Sequence, residues 1–112
     1  MLDNKNIGII GYKGYIGTSL LYELKNHNCS ITKLDLDISK RSEFDKYDFD
    51  KFDIIYHLAA TEVSKNQSIK EIIKERSVNT DSLLYLSEVI NPNTKLIFTS
   101  STNINEKYIS TW

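Results

Sequence analysis

Apolar positions along this chain follow two periods that alternate from one segment to the next. Ile7 to Ile10 is a short, β-branched run set among Gly8 and Gly11, and it fits a strand buried on both faces. Between Tyr15 and His27 the residues Ile16, Leu20, Leu21 and Leu24 recur at helical spacing. Asn26 to Ser30 breaks that helix, and Ile31 to Leu36 makes a second strand. Residues 39–52 are polar with scattered aromatics, Phe44, Tyr47, Phe49 and Phe52, and predict a short helix or turn. Asp53 to Ala60 reads as the next strand. Ser68, with Glu71 three residues later, resembles a capping box. Behind it Ile69, Ile72 and Ile73, then Leu83, Leu84, Leu86, Val89 and Ile90, carry a helix to about Ile90, where Pro92 ends it. Lys95 to Thr99, around Leu96-Ile97-Phe98, is a last strand.

Strands that alternate with helices predict an α/β fold: a parallel sheet with helices on both faces and right-handed crossovers. At 112 residues the chain is one domain, residues 1–112, with a single modest core. Hydrophobic residues at 40% and charged residues at 26% place it among ordinary globular proteins. A net charge of -1, with lysines interspersed among acids, supplies no basic field for nucleic acid or an anionic membrane, so neither is expected as a partner. No stretch approaches the ~18 apolar residues that span a bilayer, and no long apolar leader opens the chain. Cys29 is the one cysteine and reads as an inert thiol. These features lead us to expect a cytoplasmic protein.

The strongest chemical signal is Gly11-Tyr12-Lys13-Gly14-Tyr15-Ile16-Gly17, directly after the first strand and opening the first helix. The first glycine allows a tight turn out of the strand. Gly14 removes a side chain where a pyrophosphate approaches the backbone, and Gly17 lets the helix pack closely on the strand. The helix N-terminus then offers unpaired N–H groups and the positive end of its dipole to phosphates. Such turns also occur as plain structure, but a second strand ends here in an acid at the right distance. Asp35 lies eighteen residues after Gly17, near the ~20 expected for a carboxylate that binds the adenosine ribose hydroxyls. A carboxylate there favours NAD and repels the 2′-phosphate of NADP by like charge. Lys33 and Lys40, close in sequence, offset part of that repulsion.

On these residues the chain, from Ile7 to about Ser101, resembles the NAD-dependent epimerase/dehydratase family, the extended short-chain dehydrogenases that act on nucleotide sugars. The resemblance implies a Rossmann-type fold whose third strand is compressed here. It also implies a cofactor site formed by Gly11, Gly14, Tyr15, Ile16 and Gly17, with Asp35 as the ribose-binding acid. Asp37-Ile38 looks like the Asp-Ile pair that approaches the adenine. His57-Leu58-Ala59-Ala60 matches a His-Leu-Ala-Ala strand end; Leu58, Ala59 and Ala60 let the backbone approach the cofactor, and His57 is structural in the family. Asn79 matches a helix asparagine that supports the active site; the other reading is an ordinary polar helix residue.

Leu96-Ile97-Phe98-Thr99-Ser100-Ser101 matches the strand ending at the family's catalytic serine or threonine. Ser101 falls on that position and would hydrogen-bond the substrate oxygen; Ser100 is the adjacent candidate, and both hydroxyls also read as a plain strand end. The family's following Val-Tyr-Gly segment is Ile104-Asn105-Glu106 here, and only the apolar position agrees. Its chemistry also needs a Tyr-x-x-x-Lys pair on one helical face, roughly two dozen residues beyond Ser101. The chain ends eleven residues after Ser101, and four residues after Tyr108 stands Trp112. We therefore expect the cofactor half of a nucleotide-sugar epimerase, dehydratase or reductase, truncated after the strand near Ser101 and inactive by itself. A nucleotide sugar becomes a partner only if the missing C-terminal part is supplied. The residues leave open a non-catalytic dinucleotide-binding or redox-sensing module, and a decayed gene fragment. An apolar edge on the last strand predicts marginal stability or self-association.

Overall fold

The computed structural model describes residues 2–59 and 68–99. Its four strands are β1 (Asn6–Ile10), β2 (Ser30–Leu34), β3 (Ile54–His57) and β4 (Lys95–Phe98), and its helices are α1 (Tyr15–Leu24) and α2 (Ile69–Val89). All strand pairs are parallel, in the order β2-β1-β3-β4. The central strand β1 pairs Ile7 with Ile31 on one side and with Ile54 on the other. The chain winds outward from β1 to β2, then crosses back past β1 to β3. This reversal makes the C-terminal ends of β1 and β3 the switch point of the sheet, the place where open α/β sheets form their ligand crevice.

Strand alternation sorts the core into two layers. Ile7 and Ile9 turn to one face and pack with Leu24, Leu20 and Leu21 of α1, beside Ile54 and Tyr56. Ile10, Leu34 and Ile55 turn to the other and meet Leu86 of α2. Between β2 and β3 the described residues form no strand. The chain makes two 3₁₀ turns instead, Arg41–Asp45 and Phe49–Lys51. Their aromatics anchor this polar segment: Phe44 meets Tyr85 of α2 at 5.7 Å and Phe49 at 6.4 Å, and Phe49 meets Phe52 at 6.0 Å. Arg41 ties the first turn to α2 through Glu88 at 3.2 Å and reaches Asp45 at 3.1 Å. These pairs lie at the surface, where water and salt screen them, and they contribute little to stability.

Several expected boundaries move inward, among them the last strand, which ends at Phe98 rather than Thr99. The first helix ends at Leu24 rather than His27, because its last turn tightens: Asn26 N–H donates to the Glu23 carbonyl and His27 N–H to that of Leu24. The second strand ends at Leu34 rather than Leu36, because its partner β1 ends opposite it at Ile10. The third ends at His57, where β1 and β4 end as well, although Leu58 N–H still donates to the Ile10 carbonyl at 2.8 Å. At the start of α2, Ser68 Oγ accepts from Glu71 N–H at 3.2 Å. The reciprocal half of the capping box differs, since Ser68 Oγ meets the Glu71 carboxylate itself at 3.2 Å. The helix ends where Ile90 turns extended, two residues before Pro92.

Candidate functional site

The C-terminal end of β1 turns sharply at Gly11, whose φ of +87° is the left-handed conformation that favours glycine. A Cβ there would stand 2.5 Å from the Ala59 nitrogen and 2.7 Å from the Leu58 carbonyl carbon. The glycine turn and the Leu58–Ala59 strip thus meet backbone to backbone at the mouth of the crevice. Gly17 faces the same turn from inside α1, and a Cβ on it would collide with the Gly11 carbonyl oxygen and stand 2.8 Å from Tyr12 Cα.

Gly14 differs from both. Its φ is -74°, open to any residue, and a Cβ would meet nothing nearer than the Gly11 oxygen at 3.6 Å. The packing of this chain therefore gives no reason for a glycine at 14. Glycine is a favoured N-cap residue in its own right, and its missing Cβ leaves room for an external group to come close to the backbone. Gly14 is the N-cap of α1, with no side chain capping it and no acid in the first turn, whereas α2 carries both Ser68 and Glu71. A bare helix N-terminus beside a vacant side-chain position suits a phosphate. Tyr15 and Ile16 stand out from this turn, 91% and 55% exposed. The ammonium groups of Lys13 and Lys33 lie 5.7 and 5.8 Å from the centre of the Tyr12 ring, placing positive charge beside the loop.

Asp35 follows β2 at the same end of the sheet and is exposed. With no strand partner left, its backbone N–H donates to the Tyr47 hydroxyl at 3.1 Å. Tyr47 thus anchors the Asp35 backbone, a contact that residue spacing does not announce, because eleven residues lie between the two. It also belongs to a Tyr-x-x-x-Lys pair, with Lys51. Those two do not share a helix: Tyr47 lies between the 3₁₀ turns, and Lys51 ends the second with its ammonium over the Phe52 ring.

Asp37 and Ile38 border an open groove of about 370 Å³ with Ser39 and, from α2, Glu71, Lys74 and Val78. The Asp37 carboxylate accepts from the Ser39 hydroxyl at 2.6 Å and the Ser39 N–H at 3.0 Å, and these bonds hold its pKa below the usual carboxylate value. Ile38 is largely buried among the aromatics. His57 is 4% exposed, with Nε2 2.9 Å from Ser82 Oγ, and burial pushes its pKa down to about 4. It is a neutral core residue at pH 7. Asn79 stands one helical turn before Ser82, and its carbonyl accepts from the Ser82 hydroxyl at 2.9 Å. Ala60, Ser100 and Ser101 lie outside the described residues, as do Ile104, Asn105, Glu106, Tyr108 and Trp112.

The structure therefore brings the glycine loop, Leu58 and Ala59 into contact and puts Asp35 on the neighbouring strand end. It joins Asn79 to β3 through Ser82. Among the described residues no group of three or more His, Cys, Asp or Glu could hold a metal ion, and no helix is long and apolar enough to cross a membrane.

The same fold recurs in known structures. The chain is similar to the ADP-L-glycero-D-manno-heptose-6-epimerase of Helicobacter pylori, at 19% identity and a TM-score of 0.73, over 92% of this chain and 41% of that one. An epimerase from Methanothermobacter thermautotrophicus matches at 20% identity and a TM-score of 0.71, over 90% of this chain and 36% of that one. A short-chain dehydrogenase from Leptospira borgpetersenii, solved with bound NAD+, matches at 20% identity and a TM-score of 0.61, over 79% and 45%. The chain spans less than half the length of each of these proteins, and at such identities the likeness is one of fold. No curated protein sequence matches the chain. Residues 7–109, by contrast, match a family as a unit, and on that match the chain belongs to the NAD dependent epimerase/dehydratase family.

Proposed function

We propose that the crevice between β1 and β3 holds a nicotinamide dinucleotide, NAD in preference to NADP. The observation that carries this reading is Gly14: its side-chain position is open, with nothing nearer than 3.6 Å, at a helix N-terminus that no side chain caps. The family and the NAD+-bound dehydrogenase of similar fold support it. In this reading the α1 N-terminus takes the pyrophosphate, and the Leu58–Ala59 strip walls the site. Asp35 accepts hydrogen bonds from the adenosine ribose, while Asp37 and Ile38 border the adenine and Asn79 supports the active site. The bound nicotinamide supplies a hydride acceptor.

Calorimetric titration tests the site. Asp35→Ala is expected to weaken NAD binding roughly ten- to a hundredfold, the range of hydrogen bonds to a charged group; an unchanged affinity removes Asp35 from the site. Gly14→Ala and Gly17→Ala separate ligand from fold. Gly14→Ala is expected to lose NAD affinity at a stability cost of about 1 kcal/mol or less, that of an N-cap change. Gly17→Ala must displace backbone and is expected to cost about 1–3 kcal/mol whether or not NAD is present. Equal effects from the two on both measurements would reject the assignment.

We extend the proposal to the whole protein as a cytoplasmic enzyme that oxidises or reduces a nucleotide sugar, with Ser101 bonding the substrate oxygen. Residues 1–112 alone are expected to bind NAD without turnover, because no Tyr-x-x-x-Lys pair follows Ser101. Among the described residues nothing pairs the outer edge of β4, where Phe98 is 53% exposed. Self-association through that edge is expected, and a monodisperse monomer in concentrated sedimentation runs would count against it.

A further inference from the structure

We propose that Ser82 is a positioning residue for the dinucleotide site: its hydroxyl, bonded to His57 and to the Asn79 carbonyl, sets the Asn79 turn of α2 in register with the end of β3. This rests on the dinucleotide reading above.

Ser82 and His57 are the buried polar residues of the described core. Ser82 sits in the inward stripe of α2, whose other members, Val78, Tyr85, Leu86 and Val89, pack in the apolar layer. A hydroxyl in such a stripe costs more than a methyl group unless it is partnered. Its single hydrogen goes to the Asn79 carbonyl at 2.9 Å, so His57 Nε2 is the donor to Ser82 Oγ. His57 Nδ1 is then a bare acceptor, buried and without a hydrogen-bond partner among the described residues. An apolar pair of similar volume would orphan no nitrogen and would pack as well. The polar pair is thus poorly explained by stability. It provides direction instead: a 2.9 Å bond is satisfied at one rotation of α2 and one height along β3, whereas apolar contact tolerates several.

The elements so joined are those of the site. His57 is followed by Leu58, whose N–H is bonded to the Ile10 carbonyl, and then by Ala59, packed on Gly11. A shift of His57 moves the strip that walls the glycine turn. At the other end, the bond fixes the helical turn that carries Asn79.

Ser82→Thr and Ser82→Val add the same bulk and differ in the hydroxyl, and His57→Leu/Ser82→Ala removes the pair without leaving an orphan. In the 112-residue chain, the valine and double variants are expected to bind NAD about tenfold more weakly than the threonine variant, the scale of one lost hydrogen bond. Without ligand, the amide NMR signals of Gly11, Ala59 and Asn79 are expected to move in those two variants and to stay near the parent's in the threonine variant. Should either set fail to fold, the other decides. Valine and threonine variants with equal affinity and equal amide signals, or a folded double variant matching the parent in both, overturn the proposal. If the parent itself binds no NAD, the dinucleotide reading fails alone, and the amide signals still decide whether Ser82 positions the two elements.

Discussion

Phe44→Ala is expected to destabilise this chain more than any substitution at the glycine loop, by about 3–5 kcal/mol. Phe44 has no exposed surface. Its ring joins the first 3₁₀ turn to Phe49 and, edge to face, to Tyr85 of α2. Alanine would leave a cavity among three elements, none of which has a regular ladder on that side to close it. Small domains hold about 5–15 kcal/mol in total, so such a loss leaves a chain that unfolds at low urea. Urea titration followed by circular dichroism measures it. Tyr22→Ala, at an exposed position on α1, is expected to stay within about 0.5 kcal/mol of the parent. If Phe44→Ala proves as mild, residues 39–52 are not a structural part of the core.

Acid is expected to weaken the fold from a higher pH than carboxylate titration alone would produce. His57 titrates near 6.5 in the unfolded chain and, through burial, at about 4 in the folded one. The unfolded state therefore binds the extra proton first, and stability falls as pH drops below 6.5 until the folded group titrates too. At pH 5 the loss is about 2 kcal/mol relative to neutral pH, and it approaches roughly 3 kcal/mol near pH 4. Asp37 and Glu43 also have lowered pKa values, from hydrogen bonds with Ser39 and Lys46 respectively. Their contributions are lost below the ordinary carboxylate range, so the window from pH 6.5 to 5 belongs to His57. His57→Gln keeps an amide donor toward Ser82 and does not titrate. Urea midpoints at pH 8, 6 and 5 are expected to fall for the parent and to stay nearly level for this variant. A parent midpoint that does not change between pH 8 and 5 would show that His57 is not held neutral by burial.

Much of this architecture is legible in the linear chain, because local chemistry dictates it. A β-branched run buried on two faces reads as a strand wherever it lies. Helical spacing from Ile16 to Leu24 needs no neighbour to be recognised, and Pro92 stops a helix by its own covalent geometry. The glycine spacing and the distance to Asp35 are likewise properties of the sequence, as is the family resemblance they carry. Residues 39–52 are the opposite case. Their polar composition suggests a turn, and it becomes a part of the core because four aromatics meet one another, the sheet and α2. Strand ends behave the same way. Leu36 and Ala59 have strand-like sequences, but a strand lasts only as long as its partner, and β1 stops at Ile10.

The three glycines show the division most clearly. Their spacing marks all three alike, yet the fold itself requires Gly11, for its positive φ, and Gly17, for its contact with the turn, whereas beside Gly14, the N-cap of α1, it leaves open space. Tyr47 beneath Asp35, and Ser82 between His57 and Asn79, are also invisible in the chain, being contacts between elements distant in sequence. Which residues can form a strand, a helix or a tight turn is written locally, in side-chain shape and backbone freedom. Which strand ends face one another, and so which side chains form a site, is decided when burial of the two apolar layers folds β1 between β2 and β3.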